Sequence, residues 1–445
     1  MKNILKEPVA ILGFGTEGQE AFKFLKKLGI KDITICDEKD NAKIPKGAKS
    51  HLGEFAFNDL SGYQTIIRSP GVRYDLIPLQ LAREAGSHIT SMTKLTLEFA
   101  SERVTAITGT NGKTTTTAMC ENILRAHYGE RLIVGGNDRK PILQEAMDHP
   151  DRPILIEASS FQFSDISTSP YIAAVLNITP NHLDWHKNME DYINAKSNML
   201  RHQKITDWAV LNANNENSAK LAHTTPAQQF WIGQKNGENW AVWEDGYLKL
   251  SFGGNIENIV HFDQLIVKTH PDNILFVAAV AKLHFVPTTT IEEQMKLFKG
   301  VEDRLEFIRT LNDVHFYNDS SSTSPDSVLI ALDQFVPNKL ILLLGGSSKK
   351  ADFSYLASEM VKFRVRTYLY GKEGQTIKDA LLAAGGENLI LNYDQSGDFR
   401  QIIESAFKMA KPEDSIVLSP ACASFDMFRN SKERGRLFKE IVNSL

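Results

Sequence analysis

The sequence predicts an α/β protein of several domains, built from short buried strands that alternate with amphipathic helices. Three observations carry that expectation. Gly13, Gly15 and Gly18 make a G-x-G-x-x-G turn between an apolar strand and a helix. Gly109 to Thr114 makes a second glycine turn, again between a strand and a helix. Beyond residue 300, apolar strands once more end in glycine or proline turns. Strands that pass through such turns into helices are the units of a doubly wound sheet, whose ligands gather at the carboxyl ends of its strands. A chain of 445 residues has room for about two to four domains.

From the N-terminus, Val9 to Leu12 reads as a strand that feeds the first glycine turn. Ala21, Phe22, Leu25 and Leu28 then mark the apolar stripe of a helix over residues 20–28. A second strand, Ile33 to Asp37, ends in an acidic residue placed to hydrogen-bond a ribose hydroxyl. A dehydrogenase would carry the same signal. The third strand, Thr65 to Arg68, runs into Ser69-Pro70-Gly71, a turn that suits a phosphate or serves only to reverse the chain. No second half of a dinucleotide fold follows, which places a first boundary near residue 93.

The stretch Val104 to Cys120 organises the middle of the chain. A short β-branched strand turns through Gly109-Thr110-Asn111-Gly112, and a helix restarts at Lys113-Thr114 and runs to about residue 125. Backbone N–H groups at such a turn suit phosphate oxygens. Lys113 adds a point charge for the outer phosphates, and the Thr114 hydroxyl is placed for Mg²⁺. The generic P-loop spacing wants a glycine upstream of Gly112-Lys113, and neither Thr108 nor the preceding Ile107 supplies it. This is a short, unusual ATP loop of the P-loop ATPase type. Glu157 ends the strand Ile154 to Ile156, at the sheet edge where a Mg²⁺ ligand is wanted. His182 lies just past the strand Ile172 to Leu176, and Lys196 lies on a helix over residues 191–200. Read singly, His182 suits a metal, a phosphate or a structural role, and Lys196 a solvated one. Further strands (residues 208–211, 230–232 and 247–252) complete a large central domain. Leu340 to Leu344, Arg366 to Tyr370 and Ser415 to Ser419 then build a third doubly wound sheet, with a second boundary near residue 300.

Composition narrows the function classes. With 42% hydrophobic and 23% charged residues the chain buries ordinary cores. A net charge of −4 argues against a general nucleic-acid binder. Cys36, Cys120 and Cys422 are too far apart for a zinc site or a disulfide framework and suit a reducing compartment. Neither a cleavable leader nor a run of about 20 apolar residues occurs. The expectation is a cytoplasmic protein, without nucleic-acid or membrane partners.

GTNGKTTT (109–116), EASSFQF (157–163), NITPNHLDWH (177–186) with a downstream Ala195-Lys196, EDRLE (302–306), YNDS (317–320), GGSSKKADF (345–353) and SPACASFDMF (419–428) together resemble the Mur ligase family. The last three resemble the member that joins glutamate to UDP-N-acetylmuramoyl-L-alanine, a step of peptidoglycan precursor synthesis and so of cell-wall biogenesis, cell shape and cell division. The resemblance implies three domains: a Rossmann-like UDP-substrate domain (1–93), a central ATP-binding α/β domain (94–300) and a Rossmann-like glutamate domain (301–445). It implies an ADP-forming ligase that passes through an acyl phosphate, with ATP and two Mg²⁺ ions, acting as a monomer.

By the same resemblance, Gly109, Thr110, Asn111, Gly112, Lys113, Thr114, Thr115, Asn273, Arg304 and Asp319 bind ATP. Gly15, Thr16, Asp37, Ser69, Gly71, Asn137 and His182 bind the UDP substrate. Thr323, Lys349 and Ser424 hold glutamate. Thr114, Glu157 and His182 are metal ligands, helped by Lys196, whose family counterpart is typically carbamylated. Lys113, Glu157, His182 and Lys196 form the catalytic group.

Several positions depart from the family pattern, Pro325-Asp326 among them. Ser321 stands where a lysine is usual, so one positive charge is missing near the reaction centre. Asn137 is followed by Asp138-Arg139, not Ile-Gly. The adenine segment is reduced to His270-Pro-Asp-Asn273, and Ser347 replaces a common aspartate. The expectation is D-glutamate, with L-glutamate as the alternative. A nicotinamide-dependent dehydrogenase would explain Gly13 to Gly18 and Asp37 but not the ATP loop, Glu157 and His182.

Overall fold

A computed structural model describes residues 4–137, 141–183, 185–267, 270–332, 334–347, 351–394 and 397–445. Among these residues the strands form three sheets. The first is parallel, in the order Lys49–Leu52, Ile33–Asp37, Val9–Leu12, Thr65–Arg68, His88–Thr90. Its strand order reverses between Val9–Leu12 and Thr65–Arg68, which makes their carboxyl ends the ligand edge. Apolar clusters cover both faces, with Val9, Ile11, Ile33, Ile35 and Ile67 on one and Ala10, Leu12, Cys36 and Ile66 on the other.

The second sheet has nine strands, with Val104–Thr108 between Ile172–Val175 and Ile154–Glu157. All five residues of Val104–Thr108 are buried, as the middle strand of a sheet covered on both faces must be. The far edge is an antiparallel meander of Trp240–Glu244, Tyr247–Phe252 and Asn255–His261. The third sheet begins with the antiparallel pair Glu306–Leu311 and Val314–Asn318 and continues in parallel through Ser415–Leu418, Leu340–Gly345, Arg366–Tyr370 and Ile390–Asp394. The first two sheets lie in one compact unit, Met1–Phe262 with Pro271–Met295; the third lies in another, Asp263–His270 with Lys296–Leu445.

Several elements differ from the sequence expectation. The first helix starts earlier, Thr16–Lys27, because Gly15 is its extended N-cap. The helix after the ATP loop reaches Tyr128 and stops at Gly129, whose φ is +60°. The helix bearing Lys196 spans Met189–Arg201, its start fixed by the Asn188 side chain, which accepts from the Asp191 N–H. Lys49–Leu52 is a strand despite its polar sequence, since it only has to extend an edge. No helix among the described residues is long and apolar enough to cross a membrane.

Candidate active site

The loop after Val104–Thr108 lies between the ends of its two neighbours. On one side the chain after Ile172–Val175 holds it: the Thr110 N–H donates to the Asn177 carbonyl (2.8 Å), and the Asn111 N–H donates to Asn177 Oδ1 (2.9 Å). Thr110 Oγ1 pairs with the Tyr192 hydroxyl (3.0 Å) and accepts from the Thr179 N–H (3.0 Å). On the other side, Thr114 Oγ1 donates to Glu157 Oε1 (3.2 Å). Gly112 takes φ +83°, and a Cβ there would come 2.6 Å from the Asn273 side-chain amide. The turn is therefore a tight cradle closed by Asn273, with the helix from Lys113 opening out of it.

Lys113 curls back over this cradle, its Nζ donating to the carbonyls of Gly109 and Thr110 (3.0 Å each). Lys196 is fully buried beneath it, with Nζ donating to Gly109 O (3.1 Å) and Thr108 Oγ1 (3.3 Å). Burial first, and the Lys113 charge second, push the Lys196 ammonium well below its usual pKa. Its amine is thus biased towards the neutral form. The sequence placed this lysine on a solvated helix face when read singly; the structure corrects that, because its face of the helix packs under the loop.

Glu157 is buried at the end of its strand. Oε1 accepts from both Thr114 Oγ1 and Asn137 Nδ2 (2.9 Å), so two residues expected at the metal and one expected at the substrate meet at one carboxylate. A Cβ on Gly136 would come 2.1 Å from the Glu157 carbonyl oxygen, and its φ is +90°. Only glycine lets the Asn137 loop come this close. Among the described residues, no group of three or more His, Cys, Asp or Glu side chains is gathered for a metal. One buried carboxylate beside a threonine hydroxyl nevertheless fits Mg²⁺, which keeps most of its waters and needs few protein oxygens.

His182 is exposed, with φ +54°, and its ring packs on that of Phe161 at 4.9 Å. Phe161 also packs against Trp185 (4.5 Å) and His186 (5.7 Å). Buried His186 joins Asp191 through Nδ1 (3.1 Å) and Ser160 Oγ through Nε2 (2.9 Å), and burial holds its pKa below the usual histidine value. The N-terminal sheet reaches this loop too. The Tyr74 hydroxyl donates to Asp191 (2.9 Å), Arg73 donates to the Trp185 carbonyl (2.6 Å), and Lys187 pairs with Asp75 (3.0 Å).

At the edge of the first sheet, the two turns named from sequence are adjacent: Ser69 Oγ donates to the Gly13 carbonyl (2.8 Å). Gly15 and Thr16 open the helix there, and Gly71 is exposed. Asp37 closes the turn itself, accepting from the Phe14 N–H (2.6 Å) and the Lys39 N–H (2.9 Å).

In the other unit, buried Asp319 accepts from Ser419 Oγ (2.6 Å) and the Leu305 N–H (3.2 Å), next to Arg304. Burial raises its carboxyl to about 6. Ser424 is buried in the turn after Ser415–Leu418, and Thr323 follows the Asp319 loop. Lys349 lies outside the described residues. Arg434 ties the two loops together, reaching Ser320 Oγ (3.0 Å), the Ser320 carbonyl (3.0 Å) and the Cys422 carbonyl (3.2 Å).

Sequence reasoning passed over Tyr192, Arg434 and Arg68. Arg68 ends an apolar strand, whereas Tyr192 and Arg434 lie in polar stretches (Glu190-Asp-Tyr-Ile-Asn and Lys432-Glu-Arg-Gly-Arg), and neither setting says which loop the side chain reaches.

Family models match most of the chain: a Mur ligase MurD-like N-terminal domain at residues 7–91, a Mur ligase middle domain at 107–281 and a Mur ligase glutamate ligase domain at 303–422. The chain is 34% identical to a UDP-N-acetylmuramoylalanine–D-glutamate ligase of Acetivibrio thermocellus, covering 100% of this chain and 98% of the relative. It is 35% identical to the enzyme of that name from Clostridium kluyveri, covering 98% and 96%. Among solved structures, the UDP-N-acetylmuramate-alanine ligase MurC of Thermotoga maritima shares the fold, with a TM-score of 0.56, 18% identity, and coverage of 98% of this chain and 99% of that one.

One pH dependence follows from the edge of this site. The Glu17 carboxyl is pushed up to about 7 by burial, against the pull of Arg68 and the Met92 N–H. Its Oε1 has no hydrogen-bond partner among the described residues. The folded state therefore holds this proton more tightly than the unfolded chain, whose value is 4.5. That contribution is intact below the unfolded value and is lost as pH rises through the folded one. Glu17→Gln should gain stability relative to the parent between pH 5 and 8, by at most about 3 kcal/mol. Thermal unfolding of both proteins at the two pH values measures this; an equal difference at both would refute it.

Proposed function

The chain belongs to the Mur ligase family, and from that premise we propose that it couples ATP hydrolysis to the joining of D-glutamate to UDP-N-acetylmuramoyl-L-alanine in peptidoglycan precursor synthesis. The observation that carries this reading is the cradle Gly109–Lys113, set between Glu157 on one side and the Asn177–His182 segment on the other. It supports an ATP-dependent ligation in which the acceptor's carboxylate attacks the γ-phosphate, forming a carboxylic–phosphoric anhydride and releasing ADP. The glutamate amine then adds to the activated carbonyl, loses a proton, and inorganic phosphate departs as the amide forms.

The first difficulty is charge, because a carboxylate must approach a polyphosphate that repels it. Lys113 and the loop N–H groups oppose that repulsion. We assign Gly109 to Thr115 and Asn273 to the nucleotide in the cradle, and Arg304 and Asp319 to the nucleotide as well. Gly15, Thr16, Asp37, Ser69 and Gly71 are assigned to the UDP moiety, and Asn137 and His182 to the muramoyl-alanine end. Thr323, Lys349 and Ser424 are assigned to glutamate. Mg²⁺, held by Thr114 and Glu157 with a second ion near His182, would neutralise phosphate charge. The domain limits are placed near residues 93 and 300, between the last strand of one sheet and the first of the next. The nicotinamide reading is set aside, since it gives no role to the cradle or to Glu157.

Phosphate release from ATP with UDP-N-acetylmuramoyl-L-alanine tests this directly, D- and L-glutamate being compared side by side. D-glutamate is expected to give a kcat/KM at least about tenfold higher, a difference of roughly 1.4 kcal/mol in the transition state. Equal rates, or none, would overturn the assignment.

Lys196 is proposed to carry a carbamate. Its buried, deprotonation-prone amine would add to carbon dioxide, forming an N–C bond and releasing a proton. The product is an anion suited to a metal site. Labelled bicarbonate should give a carbamate carbon resonance that disappears in Lys196→Ala, whose kcat should fall by at least about 100-fold. An unlabelled parent, or a fully active variant, would rule the carbamate out.

A further inference from the structure

Arg68 ends the strand Thr65–Arg68 and is completely buried. Its Nη1 donates to the carbonyls of Val72 (2.7 Å), Pro70 (3.3 Å) and Ser69 (3.4 Å), so one half of the guanidinium holds the Ser69-Pro70-Gly71 turn from behind. Its Nη2 donates to Asp165 Oδ1 (2.7 Å), the Phe161 carbonyl (3.2 Å) and Ser164 Oγ (3.3 Å), so the other half holds the short helix Ser160–Phe163 that follows Glu157. The Phe161 ring is in turn the floor on which His182 rests. A second tie runs alongside, from Trp185 Nε1 to the Gly71 carbonyl (3.3 Å).

Burying a guanidinium is costly unless its donors are matched. Here Nε and the second oxygen of Asp165 remain unpaired among the described residues. An apolar side chain would fill the position without that cost. What the arginine adds is a rigid planar fork joining two loops from different sheets.

We propose that Arg68 is a positioning residue that sets the separation between the Ser69–Gly71 turn and His182, and so acts as a ruler for the acceptor substrate. This rests on the assignment above, in which the turn takes the diphosphate and His182 the acid end of one molecule. A substrate anchored at its diphosphate presents its carboxylate to the γ-phosphate only if that spacing is held, and an error of about 1 Å costs roughly 100-fold in rate. Nucleoside diphosphate alone touches only one end of the ruler, and MgATP is held mainly by the Gly109–Lys113 cradle, to which Arg68 makes none of its hydrogen bonds.

The test uses the full-length protein and the variants Arg68→Met, Arg68→Lys and Asp165→Asn. Binding of UDP, binding of UDP-N-acetylmuramoyl-L-alanine, and kcat with KM for each substrate are measured below the thermal midpoint of each variant. Arg68→Met is expected to lower kcat at least about tenfold and to weaken the whole acceptor at least about fivefold. UDP affinity and the KM for MgATP should stay within about twofold, and Arg68→Lys should recover part of kcat. Should Arg68→Met not fold, Asp165→Asn carries the same expectation at smaller size, because it loosens only the Phe161 side. Unchanged kcat and KM in a folded variant would overturn the ruler. So would equal weakening of UDP and the whole acceptor, which would make Arg68 a support for the turn alone. The binding arms need no amino acid or turnover, so a failure of the glutamate assignment would show separately, as an inactive parent that still binds the acceptor.

Discussion

The constraint on which the rest of the structure depends is electrostatic: two anions must meet, and the protein must hold them together without adding a third unpaired charge. The second sheet answers this by its strand order. Val104–Thr108 lies between two neighbours whose ends flank its loop, so the Gly109–Lys113 cradle, the Glu157 carboxylate and the His182 loop converge without any long excursion of the chain. The cations are layered. Lys113 lies across the loop carbonyls, while Lys196 sits underneath, where burial and its neighbour's charge favour the neutral amine. Two ammonium groups so close would oppose each other; one ammonium and one neutral amine do not.

The first sheet does more than carry the Ser69–Gly71 turn. Arg73, Tyr74 and Asp75 reach the His182 to Asp191 segment through hydrogen bonds and a salt bridge. The Asp75–Lys187 pair is partly exposed and contributes little by itself. The buried members, His186 with Asp191 and Ser160, matter more, because an unmet donor there would carry the full desolvation cost. The histidine segment is thus shaped from both sides: by the sheet it leaves and by the sheet we propose for the acceptor.

Much of this was legible in the sequence because glycine turns and apolar strands announce themselves. Gly112 must be glycine to reach φ +83° beneath Asn273, and Gly18, the last glycine of the first turn, lies 2.1 Å (as an added Cβ) from the Gly13 carbonyl. The strand-end position of Glu157, and that of His182 in the loop beyond Ile172–Val175, followed from the apolar strands. What periodicity could not give was the depth of a polar side chain. Lys196 and Arg68 look like ordinary surface cations in a one-dimensional pattern, and their burial depends on loops 87 to 97 residues away in sequence. The edge strands Lys49–Leu52 and Asn255–His261 were missed for a related reason, since a strand at an edge needs little apolar content.

Isotope transfer tests the central claim most directly. The acceptor is prepared with heavy oxygen in its alanyl carboxylate and turned over with ATP and glutamate. If the acid is activated on the γ-phosphate at the Gly109–Lys113 cradle, the released inorganic phosphate carries one heavy oxygen from the carboxylate for each amide formed, and Lys113→Ala abolishes both together. Amide formation that leaves the phosphate unlabelled, or that continues undiminished without Lys113, would contradict the account.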